Sequence, residues 1–206
     1  MNNNENAVQV LSEGLQQLTI NLDPQPFMQY LVLLDKWNQA YNLTAVRGID
    51  SMVTRHLLDS LAILPWVTGS QVLDVGSGAG LPGIPLALAM PEVRFILLDS
   101  IGKKTRFMQE AKRVLKLDNV EIQQSRVENY HPETGFDTVI SRAFSDLRQM
   151  VSWTKHLLNQ QGTWLAMKGR YPESELDAIN HPYQVKTYNV PGIDEERCCV
   201  LIENVA

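Results

Sequence analysis

The residues best suited to chemistry form a glycine-rich stretch that follows a short apolar run. The run 72–75 predicts a buried strand, and the glycines after it predict a tight turn into a helix. Gly76, Gly78 and Gly80 alternate along the chain, and without a Cβ they let the backbone approach a ligand closely. A second apolar run, 93–98, ends in Asp99, which is placed to accept hydrogen bonds from a ribose. These features predict a site for an adenosine-containing cofactor at the carboxyl ends of two parallel strands.

Two classes of cofactor compete for this stretch. The segment 78–83 matches the dinucleotide pattern G-x-G-x-x-G, and Asp99 lies at a suitable distance beyond it. However, Pro82 has no N–H for a pyrophosphate, and the carboxylate of Asp74 suits an ammonium group better than a phosphate. Counted from Asp74, the stretch reads D-x-G-x-G-x-G and resembles motif I of the class I S-adenosylmethionine methyltransferases. S-adenosylmethionine carries an amino group and no phosphate, so this cofactor is favoured; a strand–turn–helix corner without a ligand is the alternative.

Alternating strand and helix patterns surround this stretch. Strands are predicted at 71–75, 93–98, 119–123, 136–140 and 162–168, and helices at 83–90, 101–116 and 145–158. Such alternation implies right-handed crossovers and helices on both faces of the sheet. Two further strands, 183–190 and 197–203, are joined by the short link 191–194 and should form an antiparallel edge. The predicted fold is α/β, with the mostly parallel seven-stranded sheet of class I methyltransferases (Rossmann-like), which the antiparallel ending resembles.

The first 65 or so residues carry apolar side chains at helical spacing. Helices are predicted at 5–18, from Pro24 to beyond Trp37, and at 50–64 before Pro65. We expect residues 1–66 to form an N-terminal helical extension that packs on the S-adenosylmethionine-binding domain, 67–206, as one compact unit.

Composition and charge narrow the class of protein. The chain has 206 residues, of which 44% are hydrophobic and 20% charged, and no apolar run approaches the roughly 20 residues that span a bilayer. The start lacks the features of a signal peptide, and the adjacent Cys198 and Cys199 fit neither a disulfide framework nor a zinc site. We therefore expect a cytoplasmic monomer without metal or membrane partners.

The formal net charge of −5 at first argues against a nucleic-acid partner. The charge is uneven, because residues 171–206 carry two basic and seven acidic residues and the rest of the chain is balanced. Between 101 and 118, six basic side chains accompany two acidic ones. This local basic face is compatible with RNA binding, although a solvated helix face explains it equally well.

Six segments are more specific, namely 36–44, 55–61, 80–85, 97–100, 125–128 and 141–144. In them the chain closely resembles the bacterial small-subunit ribosomal RNA guanine-N7 methyltransferase G family, formerly called glucose-inhibited division protein B. The resemblance extends at high specificity from about Lys36 to about Lys168. It implies methyl transfer from S-adenosylmethionine to N7 of a specific guanine in 16S rRNA, with 16S rRNA or the 30S ribosomal subunit as partner.

The residues after the fourth strand agree with that chemistry. Ser141-Arg142-Ala143-Phe144 stands where methyltransferases of exocyclic amines commonly carry an Asn/Asp-Pro-Pro-Tyr/Phe turn. Methylation at C5 of a pyrimidine needs a cysteine nucleophile, and both cysteines lie far away in the last strand. N7 of guanine has a lone pair and no proton, so alignment and the surrounding charge suffice. Arg142 is expected to donate to O6 or a phosphate, because a bidentate grip on O6 and N7 would block the reacting atom.

The expected site residues come from this motif and from the strand ends. Arg142 and Arg126 are expected to be catalytic. The expected cofactor-binding residues are Asp74, Gly76, Gly78, Leu81, Asp99, Val127, Glu128 and Arg142. The alternative role for Asp99 is a helix N-cap, and for Glu128 a surface charge.

The expected RNA-binding residues are Lys103, Lys104, Arg106, Lys168 and Arg197. For Arg126, Arg142 and Lys168 the alternative is pairing with nearby acids, which is disfavoured because all three lie at one rim of the sheet.

Aromatic and histidine side chains give weaker signals. His56 is expected to be a structural histidine, and Trp37 and Tyr41 to belong to the core rather than to stack on a base. Two other functions remain open, a small-molecule methyltransferase and an S-adenosylmethionine-binding, ribosome-associated module without catalysis. The basic rim and the family-specific segments disfavour the first.

Overall fold

The computed structural model describes residues 3–142, 144 and 146–205. Its α-helices are α1 (Asn3–Gln17), α2 (Gln25–Tyr41), α3 (Ile49–Met52), α4 (Asp59–Leu61), α5 (Gly83–Ala89), α6 (Gly102–Leu115), α7 (Leu147–Thr154) and α8 (Glu173–Leu176). Its strands are β1 (Gln71–Val75), β2 (Arg94–Asp99), β3 (Val120–Gln124), β4 (Phe136–Ser141), β5 (Leu158–Lys168), β6 (Tyr183–Val190) and β7 (Ile193–Glu203).

The strands form one sheet in the order β3-β2-β1-β4-β5-β7-β6. Neighbours among β1 to β5 are parallel, and β7 runs antiparallel to both β5 and β6. The predicted mostly parallel, seven-stranded arrangement with an antiparallel ending is confirmed. Because the five parallel strands point the same way, their carboxyl ends meet at one edge, where ligands bind in sheets of this kind.

Three predicted boundaries are wrong, namely the end of the helix 145–158, the start of the strand 162–168 and the start of the strand 197–203. The predicted helix 145–158 begins outside the described residues, and α7 already ends at Thr154, where a 3₁₀ turn (Lys155–Leu157) leads into β5. Strand β5 begins at Leu158, which pairs with Phe136 of β4. The polar residues 159–161 conceal this start, because they interrupt the apolar run on which the prediction rests. The link before β7 is also shorter than predicted, since Ile193 already belongs to that strand.

The sheet is covered on both faces, and successive side chains of its central strands alternate between two apolar cores. Val72 and Phe95 face the core that α1, α2, α5 and α6 share, whereas Leu73 and Ile96 face the core under α7. This alternation follows from the two-residue period of a strand. Because both faces of the sheet are buried, both sets of side chains are apolar, and the central strands appear in the sequence as continuous apolar runs.

The third predicted helix, 50–64, is not a regular α-helix. A π-helical turn (Val53–Leu58) separates α3 from α4, and Pro65 lies in a 3₁₀ turn (Leu64–Trp66). The periodicity of apolar residues is nevertheless kept, because Val53, Leu57 and Leu61 are all fully buried. Among the described residues, none of the helices is long and apolar enough to cross a bilayer.

The N-terminal helices share their core with the sheet. Leu34 of α2 and Leu57 belong to the same cluster as Leu97 of β2, and Trp37 contacts Phe107 of α6 edge to face at 5.7 Å between ring centroids. The buried hydroxyl of Tyr30 donates a 2.8 Å hydrogen bond to the carbonyl of Ala79 in the glycine-rich stretch. This continuity supports the proposal that 1–66 and 67–206 form one compact unit.

The Tyr30–Ala79 bond provides a test of that proposal. Replacing Tyr30 by Phe leaves a buried carbonyl without its donor, so we expect the free energy of unfolding to fall by about 1–3 kcal/mol in a single transition. Urea denaturation measures the change. The matched control is Tyr41→Phe, whose side chain lies at the surface and should change stability little. Two separate unfolding transitions would contradict the single unit.

Candidate active site

The glycine-rich turn, which we call the glycine loop (Gly76–Gly83), joins β1 to α5 at the carboxyl edge of the sheet. Gly76 and Gly78 have φ angles of +70° and +61°, which side chains disfavour. A Cβ at Gly78 would meet only the Gly76 carbonyl oxygen, at 3.9 Å, so the space beside Gly78 is open. The loop therefore presents bare backbone where a ligand can approach.

Asp74 lies beneath the loop rather than beside it. Its side chain is 0% exposed, and Oδ2 accepts a 2.9 Å hydrogen bond from the Gly83 N–H at the start of α5. Oδ1 is buried without a hydrogen-bond partner among the described residues. Burial raises the pKa of Asp74 to about 7, although the Gly83 N–H opposes the shift. Asp74 thus supports the loop, and the structure does not bring it to the expected ammonium contact, because alternation along β1 turns it towards α5.

A cavity of about 440 Å³ lies between the glycine loop, the end of β2 and the 3₁₀ turn Val127–Asn129; we call it the loop cavity. Five expected residues line it, namely Gly76, Asp99, Arg126, Val127 and Glu128. Sequence reasoning missed other lining residues, namely Ser100, Ile101, Phe144, Gln149 and Trp153. No signal in the sequence selects Trp153, because its 40% exposure on α7 is seen only in the structure.

Asp99 lies two residues before Ile101, the N-cap of α6, and its contact with a ribose stays a prediction. Its Oδ1 accepts the Ile101 N–H at 2.9 Å and so fixes the start of α6, while Oδ2 accepts the Gly78 N–H at 2.9 Å. The carboxylate also lines the loop cavity, where it has lone pairs left for a hydroxyl group. Lys104, expected to bind RNA, lies here as well, with Nζ 3.4 Å from Asp99 Oδ2.

A second cavity, of about 330 Å³, surrounds Arg142 just beyond the end of β4; we call it the arginine cavity. Its lining brings together Val46, Arg55, His56, Asp59, Arg142, Met167, Lys168, Gly169, Tyr188 and Arg197. A third depression shares Phe144 with the loop cavity and Arg142 with the arginine cavity. The structure therefore separates the two expected catalytic arginines, because Arg126 lines the loop cavity beside Val127.

The expectation that the basic residues of the rim lack acidic partners is wrong for two of the three. Arg142 Nη1 lies 3.3 Å from Asp59 Oδ2, and Lys168 Nζ lies 2.7 Å from Glu175 Oε2. Arg197, expected to bind RNA, also approaches Asp59 at 3.5 Å. These partners come from other elements of the fold, so their proximity is not readable from local sequence. Leu81, expected to hold the cofactor, is buried in the core beneath the glycine loop.

His56 is a partnered histidine at the wall of the arginine cavity. Its Nδ1–H donates to the Arg55 carbonyl at 3.1 Å, because a carbonyl only accepts, so Nε2 accepts from the Thr44 hydroxyl at 2.9 Å. Burial lowers the pKa of His56 to about 4, and the charge of Arg142 adds to the effect. The imidazole is therefore neutral at neutral pH.

Apart from Lys104, the basic residues of α6 lie outside both cavities. Lys103 Nζ donates to the carbonyl of Tyr41 at the end of α2, at 2.8 Å, and Arg106 is exposed. Trp37 stacks at 5.2 Å on Tyr41 and packs on the core as expected, whereas Tyr41 itself is 44% exposed. An exposed aromatic ring beside basic side chains is a surface that suits RNA.

Comparison with known proteins identifies the family of the chain. A family model described as GidB, rRNA small subunit methyltransferase G, matches residues 23–199. The chain belongs to this family. A relative from Legionella pneumophila, named Ribosomal RNA small subunit methyltransferase G, is 58% identical over 195 residues, which cover 95% of this chain and 94% of the relative. A relative of the same name from Pseudomonas syringae is 48% identical over 204 residues, covering 96% and 95%.

Solved structures agree on the fold of this methyltransferase G family member. A SAM-dependent methyltransferase from Aquifex aeolicus superposes with a TM-score of 0.58 at 17% identity, over 90% of this chain and 100% of that one. A SAM-dependent O-methyltransferase from Thermotoga maritima gives 0.59 at 12% identity, over 84% and 71%. At these identities the likeness shows the fold alone, and it confirms the predicted class I methyltransferase arrangement.

The loop cavity fits S-adenosylmethionine, the methyl donor of this family. Its volume lies in the range of pockets that hold ligands of this size. Asp99 offers acceptors for ribose hydroxyls, Val127 offers an apolar surface for the adenine, and Gly78, hydrogen-bonded to Asp99, has open space beside it for a ligand. We keep these three residues as proposed cofactor-binding residues.

A substitution at Gly78 tests the loop cavity. Gly78→Val fills the open space and strains a positive φ, so we expect S-adenosylmethionine affinity to fall about tenfold or more in titration calorimetry. The matched control is Gly48→Val, because Gly48 has a similar φ of +81° and open surroundings, whereas Gly78 lies two residues from Gly76 and is hydrogen-bonded to Asp99, both of which line the loop cavity. Equal affinities of the two folded variants for S-adenosylmethionine would show that Gly78 does not belong to the cofactor site.

Proposed function

We propose that this methyltransferase G family member transfers a methyl group from S-adenosylmethionine to N7 of one guanine in 16S rRNA. Membership of the family already gives the general activity, namely that the protein is an S-adenosylmethionine-dependent rRNA methyltransferase. The choice of N7 is supported by one observation, the composition of the arginine cavity beside the loop cavity.

The described residues that line the arginine cavity offer no free general base. His56 is neutral, but both its ring nitrogens are engaged by Arg55 and Thr44. The carboxylate of Asp59 is held between Arg142 and Arg197. Burial raises the pKa of the Tyr188 hydroxyl far above its ordinary value, so it does not ionise near neutral pH. Such a cavity suits a nucleophile that needs no deprotonation, and N7 of guanine is one.

S-adenosylmethionine supplies an electrophilic methyl group, so the protein has to align the base and shape the local charge. Arg142 is the proposed residue for this task, because it lies at the end of β4 between the two cavities. Its guanidinium has five N–H donors, and Nη1, which carries two of them, contacts the Arg55 carbonyl and Asp59. The remaining donors suit guanine O6 or a phosphate.

The position of Arg126 supports a different role from catalysis. Arg126 is exposed and lines the loop cavity together with Val127 and Glu128, the residues proposed to hold the adenine. We therefore place Arg126 at the adenosine end of the cofactor. Lys104 belongs to the same cavity, which leaves Lys103 and Arg106 as the proposed RNA contacts on α6.

Methyl transfer from radiolabelled S-adenosylmethionine tests the proposal. We expect N7-methylguanosine in 16S rRNA after incubation with naked rRNA or with 30S subunits, and the better substrate of the two identifies the natural partner. Label on another atom of the RNA would overturn the choice of N7. Binding of the cofactor without any transfer would instead favour the non-catalytic module.

Arg142→Ala is the first mutational prediction. Removing a donor that aligns and polarises the base should slow single-turnover methyl transfer by about 30- to 1,000-fold, on the order of 2–4 kcal/mol. Arg142→Lys should recover only part of the rate, because an ammonium lacks the planar fork. The control is Arg94→Ala, an exposed arginine at the opposite edge of the sheet. A near-wild-type rate for Arg142→Ala would show that Arg142 is structural.

The basic face of α6 gives a second prediction. If Lys103 and Arg106 contact phosphates, the double alanine variant should bind 16S rRNA more weakly and with a salt slope lower by about two units. Its affinity for S-adenosylmethionine should not change. The double variant Arg94→Ala/Lys155→Ala removes the same charge elsewhere and should keep the wild-type slope. Equal salt slopes for the two double variants would show that the basic side chains of α6 form an ordinary solvated face without RNA contacts.

A further inference from the structure

Asp59, at the start of α4, connects three elements that are distant in sequence. Its Oδ2 lies 3.3 Å from Nη1 of Arg142, which follows β4, and its Oδ1 lies 3.5 Å from Nε of Arg197 on β7. The hydroxyl of Tyr188 on β6 donates to the same Oδ1 at 3.4 Å. Sequence analysis did not select Asp59, although it belongs to the family-specific segment 55–61.

The charges around Asp59 do not balance one to one. Two other basic residues of the arginine cavity have carboxylates of their own, since Arg55 pairs with Glu195 at 2.9 Å and Lys168 with Glu175 at 2.7 Å. Arg142 and Arg197 share the single carboxylate of Asp59. With His56 neutral, these two guanidiniums and one carboxylate leave one positive charge in excess.

This arrangement is poor as a stabilising ion pair. Strong charge-assisted hydrogen bonds are about 2.7–2.9 Å long, whereas the contacts of Asp59 with Arg142 and Arg197 are 3.3 and 3.5 Å. Only 9% of the Asp59 side chain is exposed, so the carboxylate is largely desolvated, which is costly unless the pairing is good. The three groups nevertheless meet at the wall of the arginine cavity, where orientation of Arg142 matters for the proposed reaction.

We propose that Asp59 is a positioning residue for methyl transfer, which holds Arg142 in line with the target base and lowers the charge that Arg142 and Arg197 present to it. The proposal rests on the proposed function. Two neighbouring guanidiniums repel each other, and without an anchor Arg142 would turn towards an RNA phosphate. Methylation at N7 also places a positive charge on the base, and the carboxylate reduces the opposition of the two arginines to that charge.

The experiment compares Asp59→Asn with the wild type in single-turnover methylation of 30S subunits at saturating S-adenosylmethionine. We expect the rate to fall about 10- to 100-fold while RNA affinity stays equal or rises, with a salt slope steeper by about one unit, because a cation is released for phosphate contact. A merely structural role would instead weaken the rate, the RNA affinity and the stability together. That result, or an unchanged rate, would overturn the proposal.

The matched control is Glu121→Gln, which removes an equal charge from the exposed pair with Arg94, away from both cavities, and should change the rate by less than about twofold. A loss equal to that of Asp59→Asn would show that net charge alone matters and would overturn the positioning role. In the Arg142→Ala background, Asp59→Asn should cost almost nothing further, because the residue to be positioned is absent. A full additional loss there would also contradict the proposal.

If Asp59→Asn does not fold, Asp59→Glu takes its place in the experiment, because glutamate keeps the charge and displaces it by one methylene. Its salt slope should remain that of the wild type and its rate should fall about three- to tenfold, less than for Asp59→Asn. A wild-type rate would overturn the proposal. An inactive wild type would refute the proposed function itself, so the two failures are distinguishable.

Discussion

Three hydrogen bonds from three separate elements fix the glycine loop, whose first residue, Gly76, lines the loop cavity. Asp74 of β1 holds the Gly83 N–H, Asp99 of β2 holds the Gly78 N–H, and Tyr30 of α2 holds the Ala79 carbonyl. A glycine-rich loop is flexible and loses much conformational entropy when it is ordered, so it needs such anchors. Through Tyr30, the N-terminal helices contribute directly to the position of the loop.

The carboxyl edge of the sheet is rich in cations although the protein as a whole is acidic. Part of the acidic surplus of residues 171–206 lies at this edge, where Glu175 pairs with Lys168 and Glu195 with Arg55. These partners hold long basic side chains in place before RNA arrives. They also reduce the attraction for any polyanion, which favours a shape-matched RNA over a nonspecific one.

The features that could be predicted from sequence are those encoded by neighbouring residues. The glycine loop, the strand ending in Asp99 and the alternation of strands and helices are local patterns, and the structure has them where expected. The burial of Asp74 beneath the loop could not be predicted, because the direction of a side chain at a strand end depends on which helix covers that face. The pairing of Asp59 with Arg142 joins residues 83 positions apart, and the start of β5 depends on pairing with Phe136. Such relations arise only when the chain is folded.

The π-helical turn Val53–Leu58 makes the position of Asp59 tolerant of one change in chain length. A π turn holds one residue more than an α turn, so a single-residue deletion within it would restore a regular α-helix and leave Asp59 close to its present orientation. Each residue of an α-helix turns the next by about 100°, so the same deletion in α3, which has no extra residue to lose, would rotate the carboxylate of Asp59 away from both arginines. Length variation among relatives of this protein should accordingly accumulate in the loops on either side or within this turn, and avoid α3.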